Sequence, residues 1–349
     1  MKFVSFVRIS ILASPMKGIV IKSTGNCYVV LSDDGQNIKC RIKGRLRIDD
    51  YKSTNPIAIG DKVVFQMEDG QFPPPLEERR VVRLGIISEV EKRKNCIIRK
   101  SKNLSKQSHI LATNIDQAML VVTLAVPKTS FGFIDRFLAT AEAYSIPAIL
   151  IFNKADIFEE DTFMKEELDK AMKLYGKIGY KCYSVSSTKM NSDTKQKMIS
   201  MLKDKTTLLS GHSGVGKSTF INAIQPSLNL KTQELSAAHD KGVHTTTFTE
   251  MHLLSFVDSH PDKIGKGYII DAPGIKEFSV INMDKHEVYH FFPEIFKKGS
   301  ECKFNTCMHI SEPKCAVLEA VEKGEIALSR YHSYLSIMNG EEVIKEYND

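Results

Sequence analysis

The segment Gly211-His212-Ser213-Gly214-Val215-Gly216-Lys217-Ser218-Thr219 constrains this chain more than any other. It fits G-x-x-x-x-G-K-[ST], follows the short apolar run Thr206-Thr207-Leu208-Leu209-Ser210, and precedes Phe220-Ile221-Asn222-Ala223-Ile224. That context predicts a strand, a glycine loop and a helix start, in which successive backbone N–H groups converge on a phosphate chain. Lys217 is expected to reach the β and γ phosphates and Ser218 to ligate Mg²⁺, while the helix N-terminus adds its dipole and free donors. A loop of this kind needs a parallel α/β sheet to carry it.

Other nucleotide motifs stand on either side of it. Asn153-Lys154-Ala155-Asp156 follows the apolar run 147–152 and fits N-K-x-D. A carboxylate at Asp156 can accept from both guanine N1–H and the exocyclic amine, a donor pair that adenine lacks. Asn153 is expected to anchor the loop and the base edge, with the stem of Lys154 over the ring. Ser186-Ser187-Thr188 ends a further strand and offers a small-residue loop through which a backbone N–H could approach guanine O6. Downstream come Lys241-Gly242-Val243-His244-Thr245-Thr246-Thr247 and Asp271-Ala272-Pro273-Gly274. Asp271 is expected to hold Mg²⁺ through water and the Gly274 N–H to meet the γ phosphate. Thr246, with Thr247 in reserve, is the hydroxyl that would join Mg²⁺ only when the γ phosphate is present, the basis of a GTP switch.

Two departures shape the mechanism. Where Ras-like enzymes carry a Gln that orients the attacking water, this chain has Ile275, so intrinsic hydrolysis should be slow. His244 is the nearest polar group to fill that catalytic role, alongside Lys217 and Thr246; an ordinary surface histidine is the other reading. The second departure is order: the guanine motif and the serine loop precede the phosphate loop, so the domain is circularly permuted. A doubly wound sheet tolerates this, because the site depends on the spatial order of its strand ends. Permutation also runs the switch segments directly into the C-terminal part. The γ phosphate is therefore expected to set the pose of that part through residues 271–275.

Ahead of all this, short β-type runs at 18–21, 27–31, 38–42, 62–65 and 85–90 are separated by turn signals such as Thr24-Gly25-Asn26 and Asp33-Asp34-Gly35. Five short strands predict a small closed barrel of the OB type, with an SH3-like barrel as the second reading. Its end is basic: seven cations, from Lys92 to Lys106, lie between Glu91 and Asp116 without an intervening acidic residue. That run suits a phosphate backbone, the alternative being a solvated face. The seven cysteines are irregularly spaced, which points to a reducing compartment and a metal rather than a disulfide framework. Cys302, Cys307, His309 and Cys315 form C-x4-C-x-H-x5-C, three thiolates and an imidazole that suit a closed, structural tetrahedral Zn²⁺ site. Helical text at 285–298 and 316–338 flanks it. Residues 1–15 do not fit a signal peptide, and a natural start at Met16 is the simpler expectation. No run approaches the roughly 20 apolar residues of a membrane span, so a cytoplasmic protein without membrane contact, and a monomer, is expected.

With the permuted order, the N-terminal barrel and the Cys3His group in view, the chain resembles the RsgA (YjeQ) family of GTPases. Arg93-Lys94-Asn95, Asn114-Ile115-Asp116-Gln117 and Asp135-Arg136 strengthen the match, whereas Val243 stands where that family has Arg before the histidine. The resemblance implies docking on the small (30S) ribosomal subunit late in its assembly, contact with 16S rRNA, and GTP hydrolysis to GDP stimulated by the subunit. The expected plan is an OB-fold RNA-binding barrel (16–105), a circularly permuted GTPase domain (106–284) and a helical zinc domain (285–349). A nucleic-acid-binding protein with a regulatory or vestigial nucleotide site is the alternative.

Overall fold

The computed structural model describes residues 14–25, 27–42, 56–67, 84–100, 108–124, 126–159, 161–230, 250–257, 264–271 and 284–340. Five strands open the chain: β1 (Met16–Thr24), β2 (Cys27–Ser32), β3 (Asn37–Ile42), β4 (Lys62–Met67) and β5 (Leu84–Val90). They run in the order β1-β2-β3-β5-β4, and β4 pairs back onto β1 to close the barrel. The β3–β5 pair is parallel, so the barrel is not a simple meander but has the connectivity of the OB type. Period-two alternation places Val20, Tyr28, Val30, Cys40, Val63, Phe65 and Ile87 in its interior.

A hairpin that sequence periodicity did not anticipate, β6 (Cys96–Lys100) with β7 (Ser108–Thr113), leads out of the barrel. Its Ile97 and Ala112 are buried in the core of the following sheet. That sheet contains β8 (Gln117–Val122), β9 (Ala148–Phe152), β10 (Lys181–Ser184), β11 (Thr206–Ser210), β12 (Glu250–Val257) and β13 (Ile264–Asp271). The spatial order is β10-β9-β8-β11-β13-β12, parallel except for β12. Every residue of β8 is buried, as a strand covered on both faces requires. Leu120 and Val122 face a layer formed by α1 (Phe131–Ala143) and α3 (Thr162–Ile178), which follows the short α2 (Ala155–Glu159). Met119 and Val121 face α4 (Ser192–Leu202) and α5 (Lys217–Ile224). The helix starts are capped as their sequences indicate, with Ser130, Asp161 and Asn191 side chains accepting from first-turn N–H groups.

The C-terminal part contains α6 (Pro293–Gly299), α7 (Ala316–Glu322) and α8 (Leu328–Met338). The two long helical stretches expected here are each broken. A 3-10 turn at Val288–Phe291 ends ahead of Pro293, whose ring starts a new helix, and Gly324 at φ +70° separates α7 from α8. Ala139 of α1 belongs to the core of this unit, so α1 lies between it and the sheet.

Candidate functional site

The phosphate loop connects β11 to α5. Gly211, Gly214 and Gly216 adopt φ values of +146°, +81° and +95°, a region open to glycine. At two of them space is also forbidden: a Cβ on Gly211 would strike the Val121 carbonyl and one on Gly216 the Asn153 amide. The loop is thus shaped against the neighbouring strand ends as well as by its own torsions. Val215 is buried beneath it, while His212 lays its ring on Phe133 of α1, centroids 3.8 Å apart.

Asn153 holds the nucleotide motifs together. Its Nδ2 donates to the Val215 carbonyl at 2.8 Å, and its Oδ1 accepts from the Ser187 N–H at 3.1 Å and the Ser187 hydroxyl at 2.7 Å. Both ends of this buried amide are engaged within the protein. Asn153 thus clamps three loops, and the second N–H of its Nδ2 is left for the base edge, while Ser187 directs its N–H and hydroxyl to the same clamp. Ser186 donates to Asp156 Oδ1 at 2.7 Å, and Lys189 lies 3.4 Å from Oδ2. The Ser186 hydrogen bond, opposed by burial and helped by Lys189, holds the Asp156 carboxyl below its ordinary value. Asp156 is thus kept ionised, as an acceptor of two N–H groups must be. The Lys154 backbone is left-handed (φ +64°), and its Nζ donates to the Val126 carbonyl.

Lys217 Nζ donates to the carbonyls of Gly211 (2.7 Å) and His212 (2.9 Å). Burial lowers its pKa and Asp271 pulls the other way; burial raises Asp271, with Lys217 and His252 opposing. Asp271 Oδ1 and Ser210 Oγ, at the C-terminal ends of adjacent strands, are buried without a hydrogen-bond partner among the described residues. Such orphaned oxygens beside a phosphate loop suit the water shell of a nucleotide-bound Mg²⁺. Ser213, Ser218 and Thr219 complete the loop. His244, Thr246, Gly274 and Ile275 lie outside the described residues.

In the C-terminal unit the four candidate metal ligands converge, their donor atoms all within 4.8 Å of one another. Cys302 Sγ is 3.8 Å from Cys315 Sγ and 3.6 Å from His309 Nδ1, and Cys315 Sγ is 3.4 Å from that nitrogen. With Zn–S near 2.3 Å and Zn–N near 2.0 Å, ligand-to-ligand edges of a tetrahedron are about 3.5 to 3.8 Å, so the donor set fits zinc through Nδ1. The loop is braced from outside. Tyr331 and Tyr334 of α8 donate to the His309 and Met308 carbonyls at 2.7 and 2.6 Å. Glu312 accepts from the N–H groups of Met308, Ile310 and Ser311. Burial pushes that carboxyl up, but the N–H donors outweigh it and bring it down to about 2.

The basic run after the barrel needs correction. Arg93 forks onto Asp61, with Nε to Oδ1 and Nη2 to Oδ2 both at 2.7 Å, and Lys94 pairs with Asp116 at 2.8 Å. The counter-charges come from outside the sequence window, so two of the seven cations are structural. Equally invisible in sequence was Arg330 of α8, fully buried. It bonds Asp135 of α1 at 2.9 Å and Glu294 of α6 at 2.6 Å, with its guanidinium over the Phe292 ring. Burial alone would weaken its protonation, yet Asp135 and Glu294 hold its pKa well above the ordinary value. The only hint was a lone arginine in the apolar helical text of 328–338.

A phosphate loop, an N-K-x-D motif set beside it and a strand order that places β11 between β8 and β13 define a P-loop GTPase with circularly permuted connectivity. Family profiles match accordingly: RsgA GTPase over residues 90–281 and RsgA N-terminal domain over 17–72. The chain belongs to the RsgA GTPase family. The small ribosomal subunit biogenesis GTPase RsgA of Christiangramia forsetii is 50% identical over 327 residues, covering 94% of this chain and 97% of the relative. The protein of that name from Bacteroides fragilis is 50% identical over 329 residues, with coverage of 94% and 97%. Among solved structures, YjeQ from Thermotoga maritima superposes with a TM-score of 0.68 at 31% identity, covering 93% of this chain and 98% of that one. YloQ, described as a circularly permuted GTPase, gives 0.65 at 30%, covering 93% and 94%.

Proposed function

We propose that this GTPase acts in late maturation of the small (30S) ribosomal subunit, binding 16S rRNA and hydrolysing GTP to GDP and phosphate when the subunit stimulates it. The observation that carries the nucleotide half is the Asn153 clamp, which sets the ionised Asp156 beside the phosphate loop. The ribosomal half rests on relatives that share half their residues with this chain along nearly its whole length. A vestigial nucleotide site is disfavoured by the same clamp, since the loop, its lysine and the guanine carboxylate are all in place.

In this reading Asp156 accepts guanine N1–H and N2–H, and the N–H groups of residues 211–219 cradle the phosphates. Lys217 leaves its two carbonyl partners for the β and γ oxygens. Mg²⁺, when bound with the nucleotide, neutralises charge on those oxygens. Ser218 and Thr246 would ligate it and Asp271 would hold its water, while Gly274 N–H would meet the γ phosphate. His244 would order the attacking water once the subunit is engaged. Zinc at Cys302, Cys307, His309 and Cys315 is structural, because four protein donors leave no open position. The working plan divides the chain at 16–105, 106–284 and 285–349, with the hairpin β6–β7 bridging the first division. Among the described residues no helix is long and apolar enough to cross a membrane; a cytoplasmic monomer is the working state.

GTP turnover measured with and without purified small subunits tests the proposal. Stimulation of at least tenfold is expected, abolished by His244→Ala with GTP affinity unchanged; a flat response from the wild-type protein rejects the ribosomal role.

A further inference from the structure

A cleft of about 770 Å³ lies between the barrel and the GTPase sheet, at the end of the sheet remote from the phosphate loop. Its wall includes Thr206, the first residue of β11, whereas the phosphate loop leaves the last, Ser210. At roughly 3.3 Å per residue the two sites are separated by the length of the strand. Ile19 of β1, Met251 of β12 and Tyr268 of β13 give the cleft an apolar, aromatic lining. Around it stand the exposed Lys62, Lys92, Lys205 and Lys266. Among the described residues, Lys62, Lys92 and Lys266 form no salt bridge, and Lys205 reaches only the neutral Gln117 Oε1 at 3.2 Å. Three carboxylates also line the cleft. Glu91 is neutralised by Lys17 and Asp116 by Lys94, which leaves exposed Asp204 as the one unpaired carboxylate among the described lining residues, with Asp33 acting on Tyr268 from outside the lining.

The walls are held rigidly. Asn95 and Ile115 exchange two hydrogen bonds of 2.8 Å, Asn114 Nδ2 donates to the Gly60 carbonyl, and the Arg93–Asp61 fork lies behind them. The junction is also tied where β1 meets β12, at Lys22 and Glu250. An aromatic surface inside a rim of uncompensated lysines is the arrangement by which proteins hold unpaired nucleotides, with the ring taking a base and the cations the flanking phosphates. The volume accommodates one or two nucleotides and excludes a duplex.

We propose that this cleft binds a single-stranded RNA segment, a base lying against Tyr268 and its phosphates neutralised by Lys62, Lys92, Lys205 and Lys266. The proposal deepens the RNA-binding part of the proposed function and rests on it. It makes RNA and GTP binding spatially independent, so neither competes for the other's site.

The test is fluorescence anisotropy of a labelled eight-nucleotide single-stranded RNA on the full chain, across a salt series. Lys205→Ala/Lys266→Ala should weaken binding about tenfold and lower the log–log salt slope by about 1.4, since each single-strand phosphate contact contributes about 0.7. Tyr268→Phe should bind like the wild type and Tyr268→Ala at least about fivefold worse, stacking being the lost interaction. Binding of a GTP analogue should be unchanged in each variant, which reports an intact fold. Unchanged RNA affinity and slope in a lysine variant that still binds the analogue would overturn the assignment. So would full displacement by a mononucleotide at equal concentration, or equal affinity for a duplex of the same length. The two readings fail separately. Subunit stimulation with lysine-independent RNA binding removes only the cleft, whereas lysine-dependent RNA binding without subunit stimulation removes only the ribosomal role.

Discussion

The GTPase sheet meets the barrel and the C-terminal unit through junctions of opposite construction. The barrel joins by continuity of structure: β1 pairs with the edge strand β12 at Lys22 and Glu250, and short polar side chains at Asn95, Asn114 and Asp116 substitute for missing backbone partners. Much of that seam is exposed, and its ion pair Lys94–Asp116 is 62% and 34% accessible. The C-terminal unit joins through α1, with Ala139 in its core and Arg330 bonded to Asp135, both side chains 0% accessible. A seam of many small bonds fixes an angle and forgives the loss of one, whereas a buried ion pair concentrates the junction in one charge that tolerates no loss.

The sharpest way to break this contrast is Arg330→Met. Leaving Asp135 buried beside Glu294 without a cation should cost about 3 to 5 kcal/mol in urea unfolding followed by tyrosine fluorescence, and adding Asp135→Asn should recover part of it. Arg93→Ala is the corresponding strike at the barrel. Asp61 is equally buried but keeps two donors, the Ala58 N–H and the Thr113 hydroxyl, where Asp135 keeps the Tyr175 hydroxyl and has Glu294 beside it, so about 2 kcal/mol is expected in the same assay. If the two variants were equal, the distinction between the junctions would be lost. Within the C-terminal unit, Glu312→Gln should cost about 1.5 kcal/mol at neutral pH through weaker N–H acceptance. Because the folded-state pKa of Glu312 is depressed, its contribution is complete above the unfolded value of about 4.3 and lost as pH falls toward about 2. Unfolding across pH 5 to 2 should show a shallower slope in Glu312→Gln than in the wild type, the remainder belonging to other depressed carboxyls such as Asp156. The smallest effect belongs to Lys94→Ala, no more than about 0.5 kcal/mol and diminished by salt, as for other exposed pairs.

These junctions also bear on the expected coupling between the nucleotide and the C-terminal unit. Residues 272–275, through which the γ phosphate was expected to act, lie outside the described residues. Among the described residues one connection is visible: His212 of the phosphate loop rests on Phe133, and Asp135, two residues along α1, holds Arg330.

Motifs whose chemistry demands particular residues at short spacing were legible before any fold was known. The glycines of 211–216, Asp156 after its strand, and the Cys3His group each declare a ligand locally. The five barrel strands were legible as well, since alternation shows wherever one face is buried. The hairpin β6–β7 was not, because its register shifts between Ile97 and Ile98 and its basic residues masked the pattern. Nor was the pairing of Arg93, whose partner Asp61 lies 32 residues away.

By itself, then, the amino-acid sequence determined the GTPase class, the candidate metal donors and the permuted order, since each depends on residue type and neighbours in the chain. Only the tertiary structure decided that Asn153 clamps three loops together. It likewise decided that Arg93 and Arg330 are internal ties and that lysines from four strands and loops ring a common cleft. The reason is physical: the role of a charge or an amide is set by what desolvates and faces it, and those groups are brought together only when distant segments pack.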